Sequence, residues 1–202
     1  MTHQIHIRTP NGSPVMIRPL EPRDEPALRE AIGKFSNRSR YLRFFSNLDP
    51  VPEPIIHRLS DVDGVCHLAW VAINEDAPGR PVIGAVHAMR GDADTPSAEF
   101  AIGLLDDWHG QGLARLLIAI LAADVRGHDM TEMSADVLWE NRKGRALMKS
   151  IGALSSGSDA TVVEYRMDIE TVLSTLRETM RGPAMQAVFD AIDTGSLVPA
   201  AA

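Results

Sequence analysis

Two short stretches of this chain hold residues whose types and spacing could do chemistry. The first is the turn His109-Gly110-Gln111-Gly112-Leu113-Ala114, which joins a strand to an apolar helix. Glycines there would expose backbone N–H groups at a helix start. Unpaired donors and the positive end of a helix dipole suit an anionic phosphate. The second is Glu99, within Ser97-Ala98-Glu99-Phe100-Ala101-Ile102-Gly103-Leu104. Side chains alternate across a strand, so Glu99 shares its face with Ala101, Gly103 and Leu105. A face of small residues leaves room for a substrate or acyl chain beside a carboxylate. Each stretch also has a plainer explanation: a tight glycine connector, and a solvent-facing Glu on a sheet.

Common motifs narrow the chemistry. A dinucleotide fingerprint would need glycine where Arg115 stands, and a Walker loop would need Gly-Lys-Ser/Thr. The histidines lack HExxH spacing and one cysteine cannot build a zinc site, so no metal is expected. Cys66 lies in the apolar run 65–70 and reads as a small buried hydrophobe. His67 beside it points to the opposite face and cannot serve it as a base. His87, in Val86-His87-Ala88, reads as structural or cavity-lining, with an alternative role as a base.

The elements that must position these residues follow from periodicity and breakers. Strands are expected at 15–20, 67–74, 81–90, 98–105, 133–139 and 161–169. Helices are expected at 21–34, 37–47, 53–60, 110–126, 142–150, 170–181 and 184–192. The strands at 67–74, 81–90 and 98–105 make an antiparallel meander. Strands precede and then alternate with helices, which predicts a mixed α/β (α+β) domain over 1–169 rather than a doubly wound parallel sheet. Residues 170–202 form a C-terminal helical extension. Its stripe of Leu173, Leu176, Met180, Met185, Val188, Phe189 and Ile192 packs on the core or serves a homodimer. The tail 195–202 is expected to fray.

Composition sets the outer limits. The chain has 202 residues, 45% hydrophobic and 23% charged, ordinary for one globular domain with a real core. A formal net charge of -7 argues against a nucleic-acid partner, which needs a basic face. It leaves room for a cationic amine or a basic protein. With one cysteine no intrachain disulfide can form, and a reducing cytoplasmic setting is expected. The N-terminus lacks the apolar run of a signal peptide, and the longest apolar stretch, 113–125, is too short to span a bilayer.

The glycine turn resembles the acyl-CoA pyrophosphate loop Q/R-x-x-G-x-G/A of the Gcn5-related N-acetyltransferases (GNAT superfamily). Gly112 and Ala114 match, and His109 replaces the usual Gln or Arg. Asn141-Arg142-Lys143-Gly144-Arg145-Ala146-Leu147-Met148, with Gly152 following, is similar to that family's N-x-x-A-x-x-L-Y-x-x-x-G-F segment. Gly144 replaces Ala there, Met148 replaces Tyr and Ala153 replaces Phe. The resemblance covers about residues 15–168. Ile17-Arg18-Pro19-Leu20 with Asp24, Ser39-Arg40-Tyr41-Leu42-Arg43-Phe44-Phe45 and Ala98-Glu99-Phe100-Ala101 resemble a narrower branch, the bacterial protein lysine acetyltransferases (Pat-like). That branch is often fused to a regulatory domain, for which 202 residues leave no room.

The resemblance implies acetyl-CoA as acetyl donor and direct attack by a primary amine, a protein lysine or a small-molecule amine. A non-catalytic acyl-CoA-binding module is the alternative. It implies Glu99 as general base, because an amine with a pKa of roughly 10.4 is protonated at pH 7 and must lose a proton to attack. It implies an acyl-CoA site of Leu104, Leu105, Asp106, His109, Gly110, Gln111, Gly112, Leu113, Ala114, Arg115 and Asn141. The backbone of 104–106 would pair with the pantetheine arm, and an N–H near Leu105 would face the thioester carbonyl. Arg115 either contacts phosphate or is solvated. Asn141 bonds the arm, caps a helix, or does both. Met148 cannot protonate a departing thiolate as Tyr would. A thiol with a pKa near roughly 8.5 can leave to water, and the lysine-acetylating branch often lacks that Tyr. Trp108 packs beneath the turn. Arg38, Arg40 and Arg43 line the family's acceptor wall or form a solvated face.

Overall fold

The computed structural model describes residues 4–197. Among them lie strands β1 (Ile5–Arg8), β2 (Pro14–Pro19), β3 (His67–Asn74), β4 (Val82–Met89), β5 (Ser97–Leu104), β6 (Glu132–Leu138), β7 (Leu154–Ser158) and β8 (Val162–Asp168). The helices are α1 (Glu25–Gly33), α2 (Asn37–Phe44), α3 (Glu53–Ser60), α4 (Leu113–Gly127), α5 (Arg142–Ser150), α6 (Ile169–Thr179) and α7 (Pro183–Asp193). The strands form one sheet in the order β1-β2-β3-β4-β5-β6-β8-β7. Every neighbouring pair is antiparallel except β5 and β6.

That parallel pair is short. It runs from Ser97↔Glu132 to Glu99↔Ser134 and stops. Strand β5 continues along β4 to Leu104, so β5 and β6 part beyond Glu99. Backbone groups on the open edge of β5 are left for another partner.

Apolar cores fill both faces. On one, α4, α6 and α7 pack over Val86, Phe100, Met133 and Met167. On the other, α1 and α3 cover Met16, Ala69, Val71 and Ala85. Helix α4 is buried nearly all round. Its single acid, Asp124, accepts the indole N–H of Trp70 at 2.8 Å, which explains a carboxylate inside an otherwise apolar helix. Leu173, Leu176, Met185, Val188 and Phe189 belong to the same core, so the C-terminal stripe is an internal face.

Several expectations need correction. Strands β1 and β7 were not foreseen. The fold starts α4 at Leu113 rather than 110, because Gly110 (φ 76°) and Gly112 (φ 79°) adopt left-handed backbone incompatible with a helix. Helix α2 stops at Phe44, where Phe45 takes φ 55° and its N–H closes on Tyr41 O. Cys66 is half-buried, not buried. Leu197 is 1% exposed and packs into the core, so the chain is held at least that far. The rest of the tail expected to fray, 198–202, lies outside the described residues.

Candidate active site

The parting of β5 and β6 opens a cavity of about 530 Å³. Its walls come from β5 (Ile102, Gly103, Leu104), the glycine turn and start of α4 (Trp108, His109, Gly110, Gly112, Leu113, Ala114, Arg115), α5 (Asn141, Gly144, Leu147) and α2 (Ser39, Leu42, Arg43). The backbone N–H groups of Gly112, Leu113 and Ala114 have no partner among the described residues. Arg115 donates to the Ser150 hydroxyl at 3.0 Å. Its charge has no carboxylate partner among the described residues, and Lys143 adds a second cation to the same wall. A helix start, free amides and two cations on the wall of one cavity fit the phosphates of a coenzyme A.

Asn141 caps α5, its Oδ1 accepting Gly144 N–H at 2.8 Å, which leaves its amide NH₂ for the cavity. A Cβ at Gly144 would stand 2.6 Å from Asn141 Nδ2. Glycine at 144 is therefore the residue compatible with this cap. His109 donates from Nε2 to Leu104 O at 3.1 Å, tying the turn to the end of β5. Trp108 lines the cavity and packs against the core.

Three expected acyl-CoA residues are placed differently. Leu105 N–H donates to Ile83 O at 2.9 Å, so it is engaged with β4 and faces away from the opening. The alternation of an antiparallel ladder turns the groups of Ile102 and Leu104 to the open edge instead. Asp106 lies outside the cavity wall and accepts a hydrogen bond from Ser39 Oγ. Burial opposes its charge, but the Ser36 and Ser39 hydroxyls, with His109 and Lys143 nearby, together hold the carboxyl below its ordinary range. The Gln111 side chain turns back to Asp107 O at 2.9 Å and also leaves the wall. The other eight expected residues line it. Phe35, Ser39, Leu42, Lys143, Ala146 and Leu147 also line the wall and were not singled out from sequence, because their placement depends on how α2 and α5 fold across the end of β5.

A second cavity of about 510 Å³ adjoins the first and shares Leu42, Arg43, Ile102, Asn141, Gly144 and Leu147 with it. Glu99 lines this second cavity with Ala101, Asp136, Arg58, Phe44, Phe45 and Met148. The Glu99 carboxylate has no hydrogen-bond or ion-pair partner among the described residues. Met148 is 2% exposed, with its thioether in the core. Of the arginines on α2, Arg38 pairs with Glu140 at 3.0 Å. Arg40 is buried, bonding Phe35 O and pairing with Asp49 at 2.6 Å. It is a brace, neither acceptor wall nor solvated face. Arg43 alone of the three reaches the cavities. Burial lowers its guanidinium to about 10, an effect that nearby Glu99 partly offsets.

Behind this wall His87 faces His67, with His67 Nε2 and His87 Nδ1 3.0 Å apart. His67 Nδ1 lies 2.9 Å from Asp61 O and must donate to it. His67 Nε2 then accepts from His87 Nδ1–H when both rings are neutral. Burial, followed by Arg43 and His67, pushes the His87 imidazolium well below its ordinary value. Burial also lowers His67, against the opposing pull of Asp61 and Asp63. Among the described residues, no group of three His, Cys, Asp or Glu side chains could hold a metal. No helix among them is long and apolar enough to cross a membrane.

A partly split sheet, a glycine turn opening a central helix, and an unpaired carboxylate beside the gap together define an acyl-CoA-dependent transferase fold. Residues 15–154 match the family model described as Acetyltransferase (GNAT) domain. The chain belongs to the GNAT acetyltransferase family, N-acetyltransferases that use acetyl-CoA as acetyl donor. It is 29% identical over 168 residues to Acetyltransferase Pat of Mycolicibacterium smegmatis, covering 83% of this chain and 49% of that protein. It thus spans about half the length of that relative. It is 27% identical over 160 residues to Acetyltransferase PA5475 of Pseudomonas aeruginosa, covering 78% and 85%. In fold it is similar to the GNAT domain of S. lividans PAT (TM-score 0.75, 24% identity, 82% and 97% covered). It is also similar in fold to spermidine N-acetyltransferase from Vibrio cholerae in complex with CoA and spermine (TM-score 0.58, 19% identity, 79% and 98% covered).

Proposed function

We propose that this chain transfers an acetyl group from acetyl-CoA to the ε-amine of a protein lysine, with Glu99 as the general base. The observation that carries this reading is Glu99 itself, an unpartnered carboxylate in the cavity that shares its walls with the coenzyme cavity. The matches to Ser39–Phe45 and Ala98–Ala101 of the lysine-acetylating branch support a lysine acceptor.

In this reading the free edge of β5 aligns the pantetheine arm as an added strand. The Leu104 or Ile102 N–H faces the charge that develops on the thioester oxygen. Glu99, directly or through one water, takes the proton as the amine nitrogen bonds to the carbonyl carbon. The C–S bond breaks and the sulfur leaves with its electron pair. Met148, buried and without a proton to give, has no part in that departure.

Glu99→Gln keeps the shape and removes the base. It should lower kcat about 10²-fold or more, with the KM for acetyl-CoA near wild type. Unchanged turnover would remove Glu99 from the mechanism. A panel of lysine peptides and polyamines tests the acceptor, because it reads preference directly. A preference for polyamines over every peptide would replace the lysine reading with a small-amine one.

A further inference from the structure

The acceptor cavity carries charges of both signs, and they come from different layers. The sheet floor supplies the carboxylates of Glu99 on β5 and Asp136 on β6, and the overlying helices supply the guanidiniums of Arg43 on α2 and Arg58 on α3. None of the four has an ion-pair partner within 4.0 Å among the described residues. Other arginines of this chain are closed into ion pairs, among them Arg18 with Asp24, Arg29 with Glu25, Arg40 with Asp49 and Arg177 with Asp193.

Arg43 stands out among these residues. It lines the coenzyme cavity beside Gly103. It also lines the acceptor cavity and a small apolar recess against His87 and Gly103. Its stem lies over Gly103, with Cδ 3.9 Å from where a Cβ would stand, and its guanidinium lies 5.2 Å from the Phe44 ring centroid. A half-buried guanidinium with its stem packed and no carboxylate within ion-pair distance costs desolvation that a closer carboxylate would offset. Glu99 is near enough to be felt by that charge, yet the two do not close into a pair.

We propose that Arg43, assisted by Arg58, recognises an anionic group carried by the acceptor, so that the favoured substrate is a lysine with a carboxylate beside it. This rests on the lysine reading above and names its substrate class. The acceptor lies between the layers, its amine toward Glu99 on the floor and its carboxylate toward the guanidiniums on the roof. An acceptor carrying only positive charges finds Glu99 and Asp136 on the floor but nothing to offer the two arginines on the roof.

The test is a matched peptide series in which only the residue beside the lysine changes, from Asp to Asn to Arg. Free lysine and spermidine serve as small-molecule arms. The Asp peptide should exceed the Asn peptide in kcat/KM by about tenfold, as a charge-assisted contact provides. The Arg peptide should fall below both, and spermidine should be a poor acceptor. Arg43→Gln should flatten the Asp/Asn ratio toward one, and Arg58→Gln should reduce it in a variant with the site interior intact. If free lysine matches the Asp peptide, an α-carboxylate serves as well as a side chain. A flat wild-type series with robust turnover, or an Asp/Asn ratio that survives both substitutions, overturns the proposal and leaves the lysine reading standing. Failure to acetylate any peptide overturns both.

Discussion

Mild acid should destabilise this fold through two buried histidines. His67 and His87 are 7% and 3% exposed and bonded to one another behind Arg43. Burial holds both below the ordinary value when folded, whereas the unfolded chain titrates them near roughly 6.5. The unfolded state therefore binds more protons as pH falls through that value. The stabilisation is fully present above about pH 6.5 and is lost as pH drops below it toward the folded values. Each histidine that stays neutral while folded contributes a slope of about 1.4 kcal/mol per pH unit, so the pair sets a ceiling near 2.7. Carboxylates do not confuse the window. Asp24, Asp63 and Asp106 are all held below the ordinary carboxylate range and protonate only in stronger acid. Urea unfolding followed by tryptophan fluorescence at pH 7.5, 6.5 and 5.5 measures the slope. His87→Gln keeps a donor for His67 Nε2 but removes one titrating group, and should cut the slope toward that of a single histidine. A stability independent of pH over this range, or a slope unchanged in His87→Gln, would refute the neutral-pair argument.

Other substitutions probe the frame around the site. Gly112→Ala forces a side chain into φ 79° with no hard clash, since the nearest atom, Met180 Cε, is 3.7 Å away. It should cost about 1 kcal/mol in thermal unfolding and weaken acetyl-CoA binding in a titration. Arg115→Gln should raise the KM for acetyl-CoA about tenfold at near-normal kcat; an unchanged KM would leave Arg115 as a brace for Ser150. Asp24 accepts two hydrogen bonds from Arg18 at 2.6 and 2.7 Å and one from Glu21 N–H at 2.9 Å. Asp24→Ala strands a poorly exposed guanidinium and should cost about 3 kcal/mol by urea denaturation.

The elements bounded by clear breakers were legible from sequence: α3, β3 and α5 fall where flanking Pro, Asp, Asn and Gly residues delimit them. Strand β7, Leu154-Ser155-Ser156-Gly157-Ser158, has no apolar alternation because it is an exposed edge held by backbone pairing with β8. Strand β1 buries only Ile5 and Ile7 in four residues, too short a pattern to count. The glycine turn was legible because its requirement is local, two left-handed dihedrals before a helix. Arg43 was not distinguishable from Arg38 and Arg40 in sequence. Which of three arginines on one helix reaches a cavity depends on how that helix crosses β5, and no local rule carries that information. Leu105 failed for a similar reason: whether an odd or even residue turns its amide to the gap is set by the β4 register.

That register also explains how one strand can serve both reactants. Along β5 the side chains of Glu99 and Ala101, and the bare Cα of Gly103, lie on the face covered by α2. The backbone N–H groups of Ile102 and Leu104 point sideways, into the gap left by β6, while the Leu104 carbonyl is held by His109. A thioester laid along the edge and an amine resting on the face would meet at a corner of the same strand. Arg43 stands at that corner, lining both cavities. The absence of a proton donor at Met148 fits the same arrangement, because a thiolate leaving along the open edge departs toward solvent. If so, the reaction should tolerate loss of any single hydroxyl near the sulfur. Ser39→Ala is the variant to measure, since Ser39 carries the hydroxyl on the coenzyme-cavity wall. Its kcat should stay within about threefold of wild type, well short of the 10²-fold effect of losing an acid catalyst. A larger fall would assign the proton on sulfur to Ser39.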